Sequence, residues 1–185
     1  MIQPQEARTT GSSAGMGPPS LVELARRYAT LNHTTICVLF SNHGWSDFTY
    51  NFLLQVRAAG IRRGFLVYAW DGKTCAAIGA TGPSPLWPCI WEGLHVDPCL
   101  EKPQNWATDG YNQLINSRFD VMLRLLKAGL NVFAMDTDAV LLRNPFEYLD
   151  PALDVQAQQE MPVCGYVDGC LNGGPVFPSL SISPL

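Results

Sequence analysis

Ala128-Gly129-Leu130-Asn131-Val132-Phe133-Ala134-Met135-Asp136-Thr137-Asp138 is the stretch whose reading decides the fold. Asn131 to Met135 is a short, mostly apolar run of strand length, and it leads straight into two aspartates separated by one residue. Tyr111 to Ala128 precedes it as an amphipathic helix, with Leu114, Ile115, Phe119, Met122, Leu123 and Leu126 on one face and Gly129 as the stop. A helix delivering a buried strand is the repeating unit of a parallel α/β sheet, and ligands of such sheets bind outside the carboxyl ends of the strands. Two carboxylates at such an end repel one another unless a cation joins them. Oxygen donors alone suit Mg²⁺ or Mn²⁺, which would neutralise a diphosphate and stabilise it as a leaving group. The competing interpretation of Asp136-Thr137-Asp138 is a plain turn, because Asp is common after strands.

Upstream of this block the same grammar repeats. Ser20 to Leu31 reads as a helix, with a capping-box pair at Ser20 and Glu23 and an apolar stripe of Leu21, Leu24, Ala25, Tyr28 and Leu31. Thr35 to Phe40 reads as a buried strand. Ser46 is placed as the N-cap of a helix to Ala59, with Phe48, Phe52, Val56 and Ala59 near one face and Gly60 as the stop. Phe65 to Trp70 is a second buried strand, closed by Asp71-Gly72. Periodicity is lost from 72 to 110, where Gly, Pro and Trp are frequent. That stretch is expected as a loop-rich wall anchored by some of Trp87, Trp91 and Trp106, with Cys89 to Trp91 as a short strand. Downstream, Ala139 to Leu142 is an apolar run stopped by Pro145, Asp154 to Gln158 is a short strand, and a Gly-rich segment surrounds Asn172-Gly173-Gly174.

Composition narrows the function classes. The 185 residues are 47% hydrophobic and 15% charged, as in a folded protein, and the formal net charge is −4. Basic residues are scattered, which leaves no nucleic-acid footprint. A weakly acidic chain that binds an anion needs a local device such as a metal ion or a helix N-terminus. No run reaches the length of a membrane span, and no signal peptide is recognised, so the chain as written reads as soluble. Of the six cysteines, Cys37 sits in an apolar run and reads as a buried thiol. Cys75, Cys89 and Cys99 lie in loop-like sequence and are the disulfide candidates. Asn32-His33-Thr34 is a glycosylation sequon.

The block from Ser117-Arg118 through Pro145, with Asp136-Thr137-Asp138-Ala139-Val140-Leu141-Leu142-Arg143-Asn144-Pro145 at its centre, resembles the central block of the nucleotide-diphospho-sugar transferase family. That family includes plant and algal cell-wall glycosyltransferases of the extensin arabinosyltransferase and rhamnogalacturonan xylosyltransferase kind. Phe40-Ser41-Asn42, Asp47-Phe48, Asp154-Val155-Gln156 and Leu171-Asn172-Gly173-Gly174-Pro175-Val176-Phe177 fit less specifically. The resemblance implies a GT-A-like, Rossmann-type three-layer α/β sandwich with a mainly parallel sheet, truncated in its C-terminal part. It implies a transferase domain over 20–178, whereas composition, polar with Gly-Ser-Ser and Pro-Pro, marks 1–19 as a lead-in expected to be disordered and 179–185 as a tail. It also implies transfer of sugar from a nucleotide-diphosphate donor, UDP-linked, to a glycan or glycoprotein acceptor, with retention of configuration, in the Golgi lumen.

Carried over by residue, Asp138 chelates Mn²⁺ or Mg²⁺, and Asp136 shares the metal or binds the ribose. Arg118 approaches the diphosphate or the donor sugar. Ser41 and Asn42 hold the nucleotide base, and Asn172 and Gly173 line the sugar pocket. The family's later histidine ligand has no counterpart, since His33, His43 and His95 all precede the metal motif. A non-catalytic GT-A-like relic is therefore a competing expectation. A second is a phosphatase of the haloacid dehalogenase type, whose D-x-D-x-[TV] motif Asp136 to Val140 matches. That fold carries its motif at the domain start and needs a later lysine, and none follows Lys127.

Overall fold

The structure is a computed structural model that describes residues 19–81, 87–93, 101–105, 108–150, 152–159 and 171–178. All but the last residue of the expected lead-in over 1–19, and the tail over 179–185, lie outside the described residues, as do His95, Trp106, Cys99, Cys164 and Cys170.

In chain order the main elements are α1 (Leu21–Tyr28), β1 (Thr35–Ser41), α2 (Ser46–Ala58), β2 (Phe65–Ala69), α3 (Gly72–Thr81), β3 (Cys89–Ile90), α4 (Asp109–Lys127), β4 (Asn131–Met135), β5 (Val155–Gln159) and β6 (Leu171–Pro178). Among the described residues six strands form one sheet in the order β3-β2-β1-β4-β6-β5. β3, β2, β1 and β4 are mutually parallel, and β6 runs antiparallel to both β4 and β5.

Every residue of β1 and β2 is buried, and their side chains alternate between two cores. Ile36, Val38 and Phe40 of β1 face a cluster built with Leu21, Leu24 and Ala25 of α1 and Leu114, Val121, Met122 and Leu125 of α4. Cys37 and Leu39 face the other way, into a cluster with Phe52 and Val56 of α2, Ile78 of α3, Trp87 and Phe146. Two helices on each face of a mainly parallel sheet give the expected three-layer sandwich. The capping box is present: the Ser20 hydroxyl accepts from Glu23 N, and the Glu23 carboxylate accepts from Ser20 N.

The structure corrects several expectations. Phe48 on α2 and Phe119 and Leu123 on α4 are exposed; α2 buries Thr49, Phe52, Leu53 and Val56, and α4 buries Leu114, Val121, Met122 and Leu125. Ser46 is the first residue of α2, and its hydroxyl donates 2.7 Å to His43 O, closing the 3₁₀ turn His43–Trp45. Leu31 lies beyond α1, where Leu31, Asn32 and His33 take three consecutive positive φ angles in a tight turn into β1. The apolar run Ala139 to Leu142 is irregular, with Val140 71% and Leu142 86% exposed.

The described residues between 72 and 110 hold more regular structure than expected. They contain α3, β3 and the start of α4, and a Cys75–Cys89 disulfide joins α3 to β3. Trp87 is buried edge-on against Phe65, while Trp91 is half-exposed and lies over Gly72. The Gly-rich segment around Asn172 is part of strand β6.

Candidate functional site

Strand order reverses on either side of β1: the chain goes from β1 outward to β2 and β3, then returns to place β4 on the opposite flank. The loops leaving β1 and β4 therefore diverge, and a crevice opens at their carboxyl ends. A cleft of about 770 Å³ occupies this place, lined by Phe40 and Asn42 from β1, Asp136, Thr137 and Asp138 from the end of β4, and Arg118 from α4.

Asp136 and Asp138 both line the cleft, although not as an extended i, i+2 pair. The strand ends at Met135, and residues 136–138 enter a turn in which Ala139 N donates to Asp136 O at 3.3 Å. Thr137 is buried under the turn, Asp136 is partly covered, and Asp138 is exposed at the rim. Among the described residues no group of three or more His, Cys, Asp or Glu converges on a metal position. The two aspartates could supply two oxygen donors to Mg²⁺ or Mn²⁺, whose remaining positions phosphate oxygens and water would have to fill.

Arg118 reaches this pair because of its phase on α4. Leu114, Arg118, Val121, Met122 and Leu125 follow helical spacing, so the arginine stands within the buried stripe and not beside it. Its Nη1 donates to Asp136 Oδ1 at 2.8 Å, with side-chain exposures of 19% and 36%. The guanidinium carbon lies 5.5 Å from the Phe40 ring centroid and 5.6 Å from that of Trp70, two rings that stack on one another. Trp70 is held in turn by its Nε1, which donates 2.9 Å to Ser117 Oγ. Arg118 Nε is buried without an acceptor. A flat cation backed by aromatic faces and one carboxylate could receive an oxyanion through its remaining donors.

Helix α4 is fastened at its other half. Arg124 donates through both terminal nitrogens to Glu92, at 2.6 and 2.7 Å, and Tyr68 OH donates to Glu92 Oε2 at 3.2 Å. Arg124 holds the Glu92 carboxyl below its ordinary value despite partial burial. Burial, reinforced by Glu92, pushes the Tyr68 phenol up to about 12.

The other expected site residues separate. Asn42 is buried, lines the cleft, and donates from Nδ2 to Lys102 O at 2.9 Å. Ser41 turns inward, with its Oγ 2.7 Å from Thr49 Oγ1 on α2, which places it under the site floor. Asn172 and Gly173 belong to the first half of β6. Because β6 is antiparallel to β4, with Ala134 opposite Val176, that half lies at the same end of the sheet as Asp136.

Sequence reasoning missed Trp45, Gln104, Asn105 and Tyr111, which also line the cleft. It also missed Asp71, which was read only as the end of a strand. Asp71 is buried and accepts from His43 N at 2.6 Å, Thr74 N at 2.8 Å and Thr74 Oγ1 at 2.9 Å. The spacing Asp71-x-x-Thr74 is an N-cap signal that could have found α3. The phosphatase alternative places its motif at the domain start, whereas here the motif follows the fourth strand in chain order.

The sequence profile of the nucleotide-diphospho-sugar transferase family matches residues 60–177. Two curated Arabidopsis thaliana proteins are similar to this chain. One, a UDP-D-xylose:L-fucose α-1,3-D-xylosyltransferase, is 25% identical over 145 residues, covering 77% of this chain and 37% of the relative. The other, UDP-D-xylose:L-fucose α-1,3-D-xylosyltransferase 3, is 26% identical over 140 residues, covering 74% and 34%. The chain thus spans little more than a third of the length of these relatives. No solved structure matches it.

Proposed function

This chain belongs to the nucleotide-diphospho-sugar transferase family, and we propose that it is the donor-binding part of a glycosyltransferase that takes a UDP-linked sugar with a divalent metal. The observation that carries this reading is the cleft at the reversal of strand order, where an acidic pair and a stacked arginine share one wall. Asp138, at the open rim, is the direct ligand of Mn²⁺ or Mg²⁺, and Asp136 shares the metal or the ribose while orienting Arg118. The bound metal would supply charge neutralisation of the diphosphate leaving group. Arg118 binds a phosphate or donor-sugar oxygen through the donors left by its single carboxylate contact. Asn42 faces the nucleoside, and the first half of β6, with Asn172 and Gly173, borders the donor sugar.

Both relatives are named for a UDP-xylose donor, which supports a UDP-sugar here. The resemblance of the Ser117 to Pro145 block to cell-wall glycosyltransferases supports, as part of the proposal, a glycan or glycoprotein acceptor and a Golgi location. Among the described residues no helix is long and apolar enough to cross a membrane.

Titration calorimetry with UDP in the presence and absence of Mn²⁺ tests the proposal. The parent should bind UDP only with Mn²⁺. Asp138→Asn should abolish that dependence with the far-ultraviolet spectrum unchanged, because the amide keeps the shape and removes the charge. Asp136→Asn should weaken binding less. An Asp138→Asn variant that binds UDP and Mn²⁺ like the parent sinks the metal assignment, and a folded parent that binds neither favours the non-catalytic reading.

A further inference from the structure

We infer that Asn32 is an N-glycosylation site, taking an oligosaccharide on its side-chain amide at the end of the sheet away from the cleft. Asn32-His33-Thr34 is the one Asn-x-Ser/Thr triplet in the 185 residues, and the function proposed above makes no use of it. The inference rests on the lumenal location in that proposal and not on its donor chemistry.

The triplet sits at the tip of a tight loop. Thr30 and Thr35 close the loop as an antiparallel pair, with Thr30 N donating to Thr35 O at 2.8 Å and Thr35 N donating to Thr30 O at 3.0 Å. Leu31 to Thr34, between them, are all exposed. Leu31, Asn32 and His33 turn the chain with φ of 46°, 59° and 63°, a region that Asn tolerates better than most residues. Thr35, the next residue, is already buried in β1. The loop tip therefore has open solvent beside it for a bulky hydrophilic group.

The loop also lies away from the site. It feeds the amino end of β1, whereas the cleft opens at the carboxyl end of that strand, from Phe40 onward. Most of the strand, about 20 Å of extended chain, separates the two. No residue of the loop lines the cleft. The compartment has support of its own. Cys75 and Cys89 are joined as a disulfide, and such bonds persist in oxidising surroundings such as the secretory lumen, where oligosaccharide is attached to asparagine.

The bond change is a substitution at carbon. Asn32 Nδ2 bonds to C1 of the first sugar of a lipid-diphosphate oligosaccharide, and the C1–O bond to the diphosphate breaks. The lipid diphosphate leaves with the electron pair, and Nδ2 gives up one proton. Thr34 completes the triplet, and in the folded loop its hydroxyl donates to Leu31 O at 2.8 Å. Asn32→Gln keeps that bond and removes only the acceptor amide.

The test translates the full chain, with a cleavable secretory leader supplied ahead of Met1, in the presence of microsomes, and weighs the protease-protected product. That product should carry the mass of one oligosaccharide, which an endoglycosidase removes. Asn32→Gln and Thr34→Ala should abolish the added mass, and Thr34→Ser should keep it. A protected parent without the added mass, or an Asn32→Gln product that retains it, overturns the inference while leaving the transferase reading intact. In titration with UDP and Mn²⁺ the glycosylated parent and Asn32→Gln should bind alike. Weaker binding by the glycosylated form overturns the placement of the glycan away from the cleft. If neither form binds UDP, the transferase reading fails and the glycosylation site stands.

Discussion

Arg118 illustrates how one residue acquires a role from its phase on a helix. Standing four residues after Leu114 and four before Met122, it occupies a core-facing position, yet its charge is met by Asp136 and by the faces of Phe40 and Trp70. The aliphatic stem fills the stripe and the planar head is presented to the cleft. Tyr68 shows the opposite use of burial, because its phenol is kept protonated beside Glu92. Its folded pKa of about 12 lies above the ordinary 10.0. The stabilisation linked to that proton is therefore complete below pH about 10 and is lost as pH rises through about 12. In a spectrophotometric titration of the six tyrosines, one should ionise later than the rest, and Tyr68→Phe should remove that late step together with part of the alkaline loss of stability. Six phenols titrating together near the ordinary value would contradict this.

At the scale of elements, α3 explains why a segment without apolar periodicity is still helical. Gly72 to Thr81 has little amphipathic pattern, and its start is set by Asp71, whose carboxylate satisfies Thr74 N and Thr74 Oγ1 and also holds His43 N from the loop after β1. Replacing Asp71 with Ala removes a cap and leaves buried donors unmet, so it should cost about 1–2 kcal/mol in urea denaturation. Asp71→Asn, which keeps one acceptor, should cost less, and a neutral Asp71→Ala would show that the cap is dispensable. Helix α4 was legible in its existence and length, while its buried face was not. Leu123 and Phe119 suit an apolar face as well as Val121 and Leu125 do. The choice between them depends on where Glu92 grips Arg124 and where Asp136 grips Arg118.

For the whole molecule, the sheet order creates the cleft and one disulfide braces the sheet's far edge. β3 is only two residues long and pairs with β2 alone, so Cys75–Cys89 supplements a short ladder. With the cysteines 14 positions apart, removing the bond through Cys75→Ser should lower stability by about 2–3 kcal/mol in denaturant melts. A reductant should have the same effect on the parent and none on the variant. Identical melts for oxidised and reduced parent would deny the bond its bracing role.

By itself the sequence determined the parallel strands β1, β2 and β4, the helices α2 and α4 between them, the capping box of α1 and the pairing of an acidic doublet with a strand end. Each of these is local, written in runs of apolar residues and in the stops that bound them. The block from Ser117 to Pro145 also carried the family. Tertiary structure alone decided that Arg118 meets Asp136, that Ser41 turns away from the cleft while Asn42 lines it, and that Gln104 and Asn105 line the cleft as well. Apart from Ser41, whose partner Thr49 is 8 positions away, these are contacts between residues 18 to about 60 positions apart. They depend on strand order and on the phase of each helix, which no short window of sequence contains.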